Sequence, residues 1–300
     1  MLLPMSPISQ KMVAPDNALD AYLDKIESLP PTPTVLVKLI DLFCQPTTDA
    51  DDVVTLLRRD PVLSLEVLRR CNTSFFGTGS NITDVGEAVY RLGFYEVYQI
   101  TATLLSLQTM AASNCAPNFP AEELRRHSSI AAIAAGVLAS EVGLADGMAF
   151  TIALLHDIGK VAFALAEGNR YVALIAAAEQ TGGSLSRLER AAFGFDHAEI
   201  GARLLLRWGL PEELVLPVLG HIDFEAAEPT ARELTIITHG ASALADHIQS
   251  SAQTPFADTP GARYLMDHFH LNPSQINGWE YQVRSRVDQL AALAAPAPGS

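Results

Sequence analysis

The chain has 300 residues, 49% of them hydrophobic and 18% charged, so it is long and apolar enough to bury a sizeable core. Its formal net charge of −14 argues against direct binding of nucleic acid, because that binding depends on lysine and arginine side chains that neutralise phosphates. Three widely spaced cysteines form no CxxC pair and no disulfide framework, which favours a reducing, cytoplasmic setting.

The N-terminal segment is rich in proline and lacks the long apolar stretch of a secretory signal. Residues 1–21 are therefore assigned to a flexible leader, although a helix is expected to begin near Asn17. The most apolar helical runs, 130–139 and 150–155, are shorter than the roughly 18–20 residues that a membrane span needs. No membrane association is expected.

Helical spacing of apolar residues extends along almost the whole chain, and alternating, strand-like runs are scarce, so an all-α fold is predicted. In the first third, Asp60 and Pro61 form an N-cap followed by a proline at the first helical position. Asp84 and Glu87 have the spacing of a capping box. Four helices are accordingly expected here: one over about 50–59, one that begins at residue 61, one that is capped by Asp84 and ends at Gly93, and one over 94–112.

A polar, proline-containing connection at 113–120 marks the boundary between two expected subdomains, 22–112 and 113–249. Residues 250–300 are assigned to a linker followed by a C-terminal helical extension. The second subdomain is expected to contain helices at about 121–142, 146–156, 159–180 (broken near Gly168), 184–193, 196–208, 211–222 and 229–249.

The most informative local feature is the pair His156 and Asp157, in the run LLHDIGK at 154–160. A neutral imidazole beside a carboxylate offers one nitrogen and one oxygen to a divalent cation, which suits zinc, manganese or iron better than calcium. The apolar run before the pair places it at the end of a buried helix, and Gly159 is expected to allow a sharp turn there. Lys160 supplies a cation that could face an anionic ligand.

Three further histidines, His127, His197 and His221, each lie near the end or on one face of a predicted helix. Packed helices could bring all of them to Asp157. Any one of these histidines, taken alone, is more often a structural residue than a metal ligand. If no metal binds, a buried Asp157 still needs a hydrogen-bonding partner, and His127 or His156 could supply it.

The order His…His-Asp…His…His is similar to that of the metal-dependent phosphohydrolases named after their His-Asp doublet. Upstream motifs make the likeness more specific, because together they resemble the HDOD domain, a bacterial signalling relative of those enzymes. The likeness covers about residues 22–246 and implies an N-terminal helical bundle packed on an HD-type bundle. The motifs are LPPTPTVLVKL at 29–39, LRRDPVLS at 57–64, LRRCNTSFFG at 68–77, ITDVGEAV at 82–89 and RLG at 91–93.

The resemblance implies a set of residues that would hold a divalent metal ion, either iron, manganese or zinc. Asp157 is the candidate to bridge two such ions, and Lys160 would be catalytic only if the protein is an enzyme. The five implied ligands are His127, His156, Asp157, His197 and His221.

Two positions depart from the pattern of the enzymes. Ile222 follows His221, where the relatives that cleave cyclic dinucleotides carry a second histidine, and their Gly-Tyr-Pro signature is absent after it. Ser242 stands where a final aspartate is expected, and a serine hydroxyl is a poor metal ligand at neutral pH. Asp246 and His239 lie about one helical turn from Ser242 and are candidate substitutes for that ligand.

These departures favour a non-catalytic signal-transduction module of a bacterial cytoplasm, acting through protein partners in trans or through a bound ligand such as a nucleotide. The alternative is a metal-dependent phosphohydrolase acting on a nucleotide-type substrate, which the near-complete ligand set supports. Restoring Ser242→Asp and Ile222→His should create or raise hydrolysis if the cleft is otherwise competent. The sequence leaves open a homodimer, for which the C-terminal helices are a candidate docking element.

Overall fold

The computed structural model describes residues 17–24, 38–40, 42, 50–71, 82–93, 96–102, 116–250 and 254–294. Within these ranges every regular element is a helix, so the all-α prediction is confirmed. Several predicted features lie outside the described residues: residues 29–37 of the first motif, residues 72–77 of the third motif, most of the helix predicted at 94–112, Cys44, Cys115 and the C-terminal residues 295–300.

The N-terminal helices begin where the capping residues predict. Asp60 accepts a hydrogen bond from the backbone N–H of Leu63 at 3.1 Å, and Asp84 accepts one from Glu87 at 3.0 Å. Gly93, with φ of 82°, ends the second of these helices. The helices are α1 (Asn17–Asp24), α2 (Ala50–Arg58), α3 (Pro61–Cys71) and α4 (Val85–Leu92), and residues 96–102 are also helical.

Helix α1 begins at Asn17, so residues 17–21 are helical and do not belong to the expected leader. It packs on a helix of the second bundle, where Asp20 accepts hydrogen bonds from Arg203 and Arg207. The hydroxyl of Tyr22 also donates to Glu167 at 2.9 Å. Residues 17–24 are therefore packed on the second bundle.

The second bundle is built around α5, which packs against α6 and α12. Its middle turns carry fully buried alanines at 131, 132, 134 and 135, and these small side chains let neighbouring helices approach closely. Gly168, with φ of 56°, separates α7 from α8 at the predicted break. The helices are α5 (Ala121–Glu141), α6 (Asp146–Leu155), α7 (Ile158–Glu167), α8 (Asn169–Thr181), α9 (Leu185–Phe193), α10 (His197–Arg207), α11 (Glu212–Gly220) and α12 (Arg232–Gln249).

The C-terminal extension packs on this bundle as helices α13 (Pro260–Phe269) and α14 (Pro273–Ala294). Trp279, 1% exposed, donates its indole N–H to the carbonyl of Ala134 on α5 at 2.9 Å. Phe256 is also 1% exposed and packs edge-on against Trp279. Part of the expected linker at 250–260 is therefore a buried element of the core.

One helical stretch among the described residues, Asp146–Glu167, is long and apolar enough to cross a membrane by length and composition. It spans α6 and α7 together, and 83% of its most apolar window is buried inside the bundle. The apolar run at 150–155 is only a part of this stretch. Its apolar character is accounted for by packing in the core.

Candidate metal centre

His156 and Asp157 lie at the junction of α6 and α7, where they cap the end of one helix and the beginning of the next. Both are buried, with exposed fractions of 0% and 1%. Gly159 follows in the first turn of α7, but its role is not the predicted sharp turn. A Cβ atom there would overlap the carbonyl oxygen of His197 and lie 2.8 Å from the nitrogen of Gly201. Glycine is needed because it lets α7 approach the start of α10, and this approach brings His197 to Asp157.

All four candidate histidines point their Nε2 atoms at Asp157. His156 and His127 approach its Oδ2 at 3.4 and 3.7 Å. His197 and His221 approach its Oδ1 at 3.4 and 3.8 Å. The helices thus bring together all five residues that the sequence indicated, with one pair of histidines on each oxygen of the carboxylate.

The geometry divides the cluster into two three-residue groups that share Asp157. In each group the candidate ligand atoms lie within 4.8 Å of one another. We call His127, His156 and Asp157 the outer group, and Asp157, His197 and His221 the inner group. Each group would offer two imidazole nitrogens and one carboxylate oxygen to a divalent cation, and Asp157 would serve both groups.

The second nitrogen of each imidazole has its own partner, which sets the tautomer. His156 and His221 donate from Nδ1 to the backbone carbonyls of Ala153 and Val218 at 2.7 and 2.6 Å. Nδ1 of His127 lies 3.0 Å from Asp246, and that of His197 lies 2.6 Å from Glu189. In a neutral ring whose Nδ1 donates in this way, the lone pair lies on Nε2, which is the arrangement of a histidine that binds a metal.

One close contact between two histidines is easier to explain with a bound cation than without one. The Nε2 atoms of His127 and His156 lie 3.3 Å apart. With Nδ1 of each ring donating elsewhere, both Nε2 atoms carry lone pairs and cannot hydrogen-bond to each other while both rings are neutral. A divalent cation between them would accept both lone pairs, so the residues present fit a metal.

The protonation states agree with this arrangement. Burial, together with the charges of His127 and Lys160, lowers the pKa of His156 to about 4, against the opposing effect of Asp157. Burial and two neighbouring histidines also lower the pKa of His221 well below its usual value. Burial alone would raise the pKa of Asp157, but His156 and Lys160 hold it well below the usual range. Neutral imidazoles around an ionised carboxylate are the forms in which these side chains bind metals.

The substitutes proposed for the final ligand lie outside both groups. Asp246 holds the far side of His127 through Nδ1, and its side chain is 73% exposed. His239 donates from Nδ1 to the carbonyl of His221 at 3.0 Å, and its ring packs on Phe224. Ser242 does reach the cluster, because its hydroxyl oxygen lies 3.2 Å from Nε2 of His127.

Glu189 on α9 contacts the inner group, and sequence analysis missed it. Its side chain is fully buried and accepts hydrogen bonds from Nδ1 and the backbone N–H of His197 at 2.6 and 2.9 Å. The hydroxyl of Tyr171 donates to its other oxygen at 2.6 Å. The sequence did indicate that Glu189 is buried, because it lies one turn from both Leu185 and Phe193, on the apolar side of an amphipathic helix.

A cavity of about 380 Å³ opens beside the outer group, within the size range of small-molecule sites. Lys160 lies on its inner wall and donates to Oδ2 of Asp157 at 2.7 Å. Three carboxylates, those of Glu123, Glu179 and Asp246, also line it. The outer group can therefore be reached by a ligand from this cavity. The remaining lining residues are Phe119, Pro120, Leu124, His127, Ile175, Ala178, Gly183, Leu185, Ser242 and Gln249.

The fold resembles that of three solved proteins, each less than 25% identical to the chain. The first is an HDOD domain protein of unknown function from Geobacter sulfurreducens (TM-score 0.76, 20% identity, 91% of this chain and 97% of that one). A "Putative phosphohydrolase" from Shewanella amazonensis gives a TM-score of 0.72 at 22% identity, over 92% and 98% of the two chains. A "Putative signal transduction protein" from Marinobacter aquaeolei gives 0.76 at 20% identity, over 95% and 66%.

Sequence comparison points to the same family. An uncharacterised protein of Treponema pallidum is 25% identical over 254 residues, which are 84% of this chain and 48% of that protein. The chain therefore spans about half the length of this relative. The model of the HDOD domain matches residues 29–224, well over half of the chain. The chain belongs to the HDOD domain family.

Proposed function

We propose that the protein is a metal-binding signal-transduction module that acts on protein partners in trans and has no hydrolytic activity of its own. The observation that carries this proposal is the convergence of four Nε2 atoms on the two oxygens of Asp157. The protein of similar fold from Marinobacter aquaeolei, described as a "Putative signal transduction protein", supports the proposed role in signalling.

Each of the two groups would offer three ligand atoms to a metal ion, and Asp157 belongs to both groups. Imidazole nitrogen with carboxylate oxygen suits zinc, manganese or iron. When bound, such ions would polarise a phosphate oxygen or lower the pKa of a bound water. The chain's own residues orient the four rings before any metal binds, because each Nδ1 has a partner within the protein.

The test is the metal content of protein purified without a metal-affinity step, measured by mass spectrometry. We expect up to two divalent ions per chain, and Asp157→Ala should lose them because it removes the ligand shared by both groups. Asp267→Ala is the matched control, since Asp267 is exposed on α13, away from the cluster. A wild-type protein that cannot be loaded with Mn²⁺, Fe²⁺ or Zn²⁺ would contradict the proposal.

The second candidate function is a metal-dependent phosphohydrolase. The cavity that leads to Asp157 and Lys160 favours it, because a phosphoester could reach the outer group and place its negative charge near the Lys160 ammonium. Ser242 opposes it, since the hydroxyl beside His127 replaces a carboxylate ligand.

Hydrolysis of bis(p-nitrophenyl) phosphate by Mn²⁺-loaded protein separates the two candidates. We expect no turnover above the background of free Mn²⁺ for the wild type, and a gain in Ser242→Asp combined with Ile222→His if the cleft is competent. Wild-type turnover that disappears in Asp157→Ala but persists in Asp267→Ala would establish the enzymatic function instead.

A further inference from the structure

The two halves of the centre differ in how firmly their ligands are held. In the inner group, His197 is fixed at two points by one oxygen of Glu189, through Nδ1 at 2.6 Å and through its backbone N–H at 2.9 Å. Tyr171 holds the other oxygen of Glu189 at 2.6 Å. Glu189 is 0% exposed, so these hydrogen bonds lie in a medium where charge interactions are strong.

His221, the second histidine of the inner group, is also fixed by backbone. Its Nδ1 donates to Val218, and its own carbonyl accepts from His239. Both rings of the inner group are thus oriented by buried partners and would lose little freedom on binding a cation. Preorganised ligands bind more tightly, because less entropy is lost when the complex forms.

The outer group has this support at only one of its two histidines, His156, whose Nδ1 donates to the backbone carbonyl of Ala153. The partner of His127 is Asp246, whose side chain is 73% exposed and therefore screened by solvent. Lys160 donates to Oδ2 of Asp157, the oxygen on the outer side, and so competes with a cation for it. Ser242 contributes a hydroxyl where a carboxylate would bind more strongly. The outer group also borders the cavity, which gives ions a route in and out.

We propose that Glu189, held by Tyr171, is a positioning residue that makes the inner group the tighter of two unequal cation sites. One divalent ion then stays resident between His197 and His221, and the outer site exchanges its ion with the surroundings. The free concentration of the cation would set the occupancy of the outer site, so that the cation itself is the signal. This inference rests on the proposed function, in which the centre binds divalent cations.

The experiment is a titration of EDTA-treated protein with Co²⁺, followed by calorimetry and by the visible absorption of the bound ion. We expect two steps in the wild type, with the first equivalent bound at least about tenfold more tightly than the second. Glu189→Gln keeps the size of the side chain but removes its charge. It should weaken the affinity for the first equivalent by about 10- to 100-fold, the usual effect of losing a residue that hydrogen-bonds to a metal ligand. It should also change the visible absorption of that first bound ion.

Two further variants test which group binds the first ion without relying on Glu189→Gln alone. Tyr171→Phe removes only the hydroxyl and should weaken the first step by a smaller factor. Asp246→Asn should weaken the second step alone. The thermal unfolding of each EDTA-treated variant shows whether it is folded, and Asp246→Asn, at an exposed side chain, remains informative if Glu189→Gln does not fold.

Three outcomes would overturn the inference. Two equal steps in the wild type would show that the sites do not differ, although the metal-binding proposal would stand. A loss of the first step in Asp246→Asn would reverse the order of the two sites. An absence of Co²⁺ binding by the wild type would overturn the proposed function and this inference with it.

Discussion

The properties of individual histidines in this protein depend on their burial and on their hydrogen-bond partners. His268 and His270 are histidines too, but they lie on the C-terminal extension and belong to neither group. His156 and His221 differ from them because they are buried and their Nδ1 atoms are held by backbone carbonyls. These environments keep the imidazoles neutral, and this has a measurable consequence for stability.

The metal-free protein should lose stability as the pH falls below about 6.5, the usual pKa of histidine in an unfolded chain. The folded-state pKa of His156 is lowered to about 4, so the unfolded chain binds a proton in this window and the folded protein does not. The stability that the neutral, buried His156 contributes is fully present above pH 6.5 and is lost as the pH falls towards 4. Within this window each such histidine lowers the free energy of unfolding by about 1.4 kcal/mol per pH unit.

Thermal unfolding of EDTA-treated protein between pH 7.5 and 4.5 measures this effect. His156→Asn should show a shallower pH dependence than the wild type. His270→Asn is the control, because His270 is exposed and its left-handed backbone suits asparagine. Equal slopes in all three proteins would contradict the assignment.

Gly159→Ala should destabilise the protein and weaken metal binding, because the added Cβ meets backbone atoms of His197 and Gly201, which cannot rotate away. We expect a loss of about 1–3 kcal/mol, the usual cost of overpacking. Gly278→Ala is the matched control, since a Cβ there meets nothing within 4 Å and α14 should gain about 0.5–1 kcal/mol. Urea unfolding of both variants measures the difference, and a neutral Gly159→Ala would contradict the close approach.

At the scale of elements, the start of α10 positions the inner group. Asp196 caps this helix in a reciprocal capping box with Glu199, and Arg190 binds the Asp196 carboxylate. His197 is the first residue of the helix, so the cap also fixes the histidine. The sequence predicted a helix from 196 but not the role of its cap in the centre, because Arg190 and Glu189 reach it from α9.

Asp196→Ala should lower the free energy of unfolding by about 1–2 kcal/mol and weaken the binding of the first metal ion, because the loss of an N-cap loosens the first turn of α10. Ser184→Ala removes the N-cap of α9, where the hydroxyl accepts from Arg187 at 3.3 Å, and serves as the comparison. We expect it to cost stability without changing metal affinity. Urea unfolding and Co²⁺ titration of both variants provide the measurement, and equal metal affinities would exclude a role for the Asp196 cap.

At the scale of the whole molecule, the C-terminal extension belongs to the core of the bundle. Trp279→Ala should cost about 3–5 kcal/mol, because it removes a buried aromatic side chain and its hydrogen bond to Ala134 on α5. Tyr281→Ala, two residues away on the same helix, removes a ring that is 75% exposed and should change stability by less than about 0.5 kcal/mol. Chemical denaturation distinguishes these outcomes. Similar losses in both would indicate that α14 is not packed as described.

The same packing changes how the extension is tested as a docking element. Deletion of residues 251–300 would expose the surface of α5 that Trp279 covers, so a loss of partner binding would not distinguish docking from unfolding. Tyr281→Glu alters an exposed position instead. Sedimentation of this variant and of the wild type would show whether α14 takes part in a homodimer.

Most of the fold could be predicted from the sequence, because helix periods, caps and breakers are local. The N-caps Asp60 and Asp84 and the break at Gly168 all lie where the sequence places them. The five clustered residues were also identified in advance, from their order along the chain. Elements whose position depends on contacts with distant residues were assigned less well, as the packed segment around Phe256 shows.

The amino-acid sequence by itself determined the all-α class, the family, and Asp157 with the four histidines around it, since each leaves a short-range pattern or an ordered set of motifs. Only the tertiary structure decided which carboxylates support the histidines. Glu189 lies eight residues before His197, while Asp246 lies 119 residues after His127, and neither separation forms a motif. The close approach at Gly159 was likewise invisible, because the atoms that a side chain would meet belong to another helix. Contacts between helices are set by packing of the whole bundle, and they decide here which histidine is firmly held.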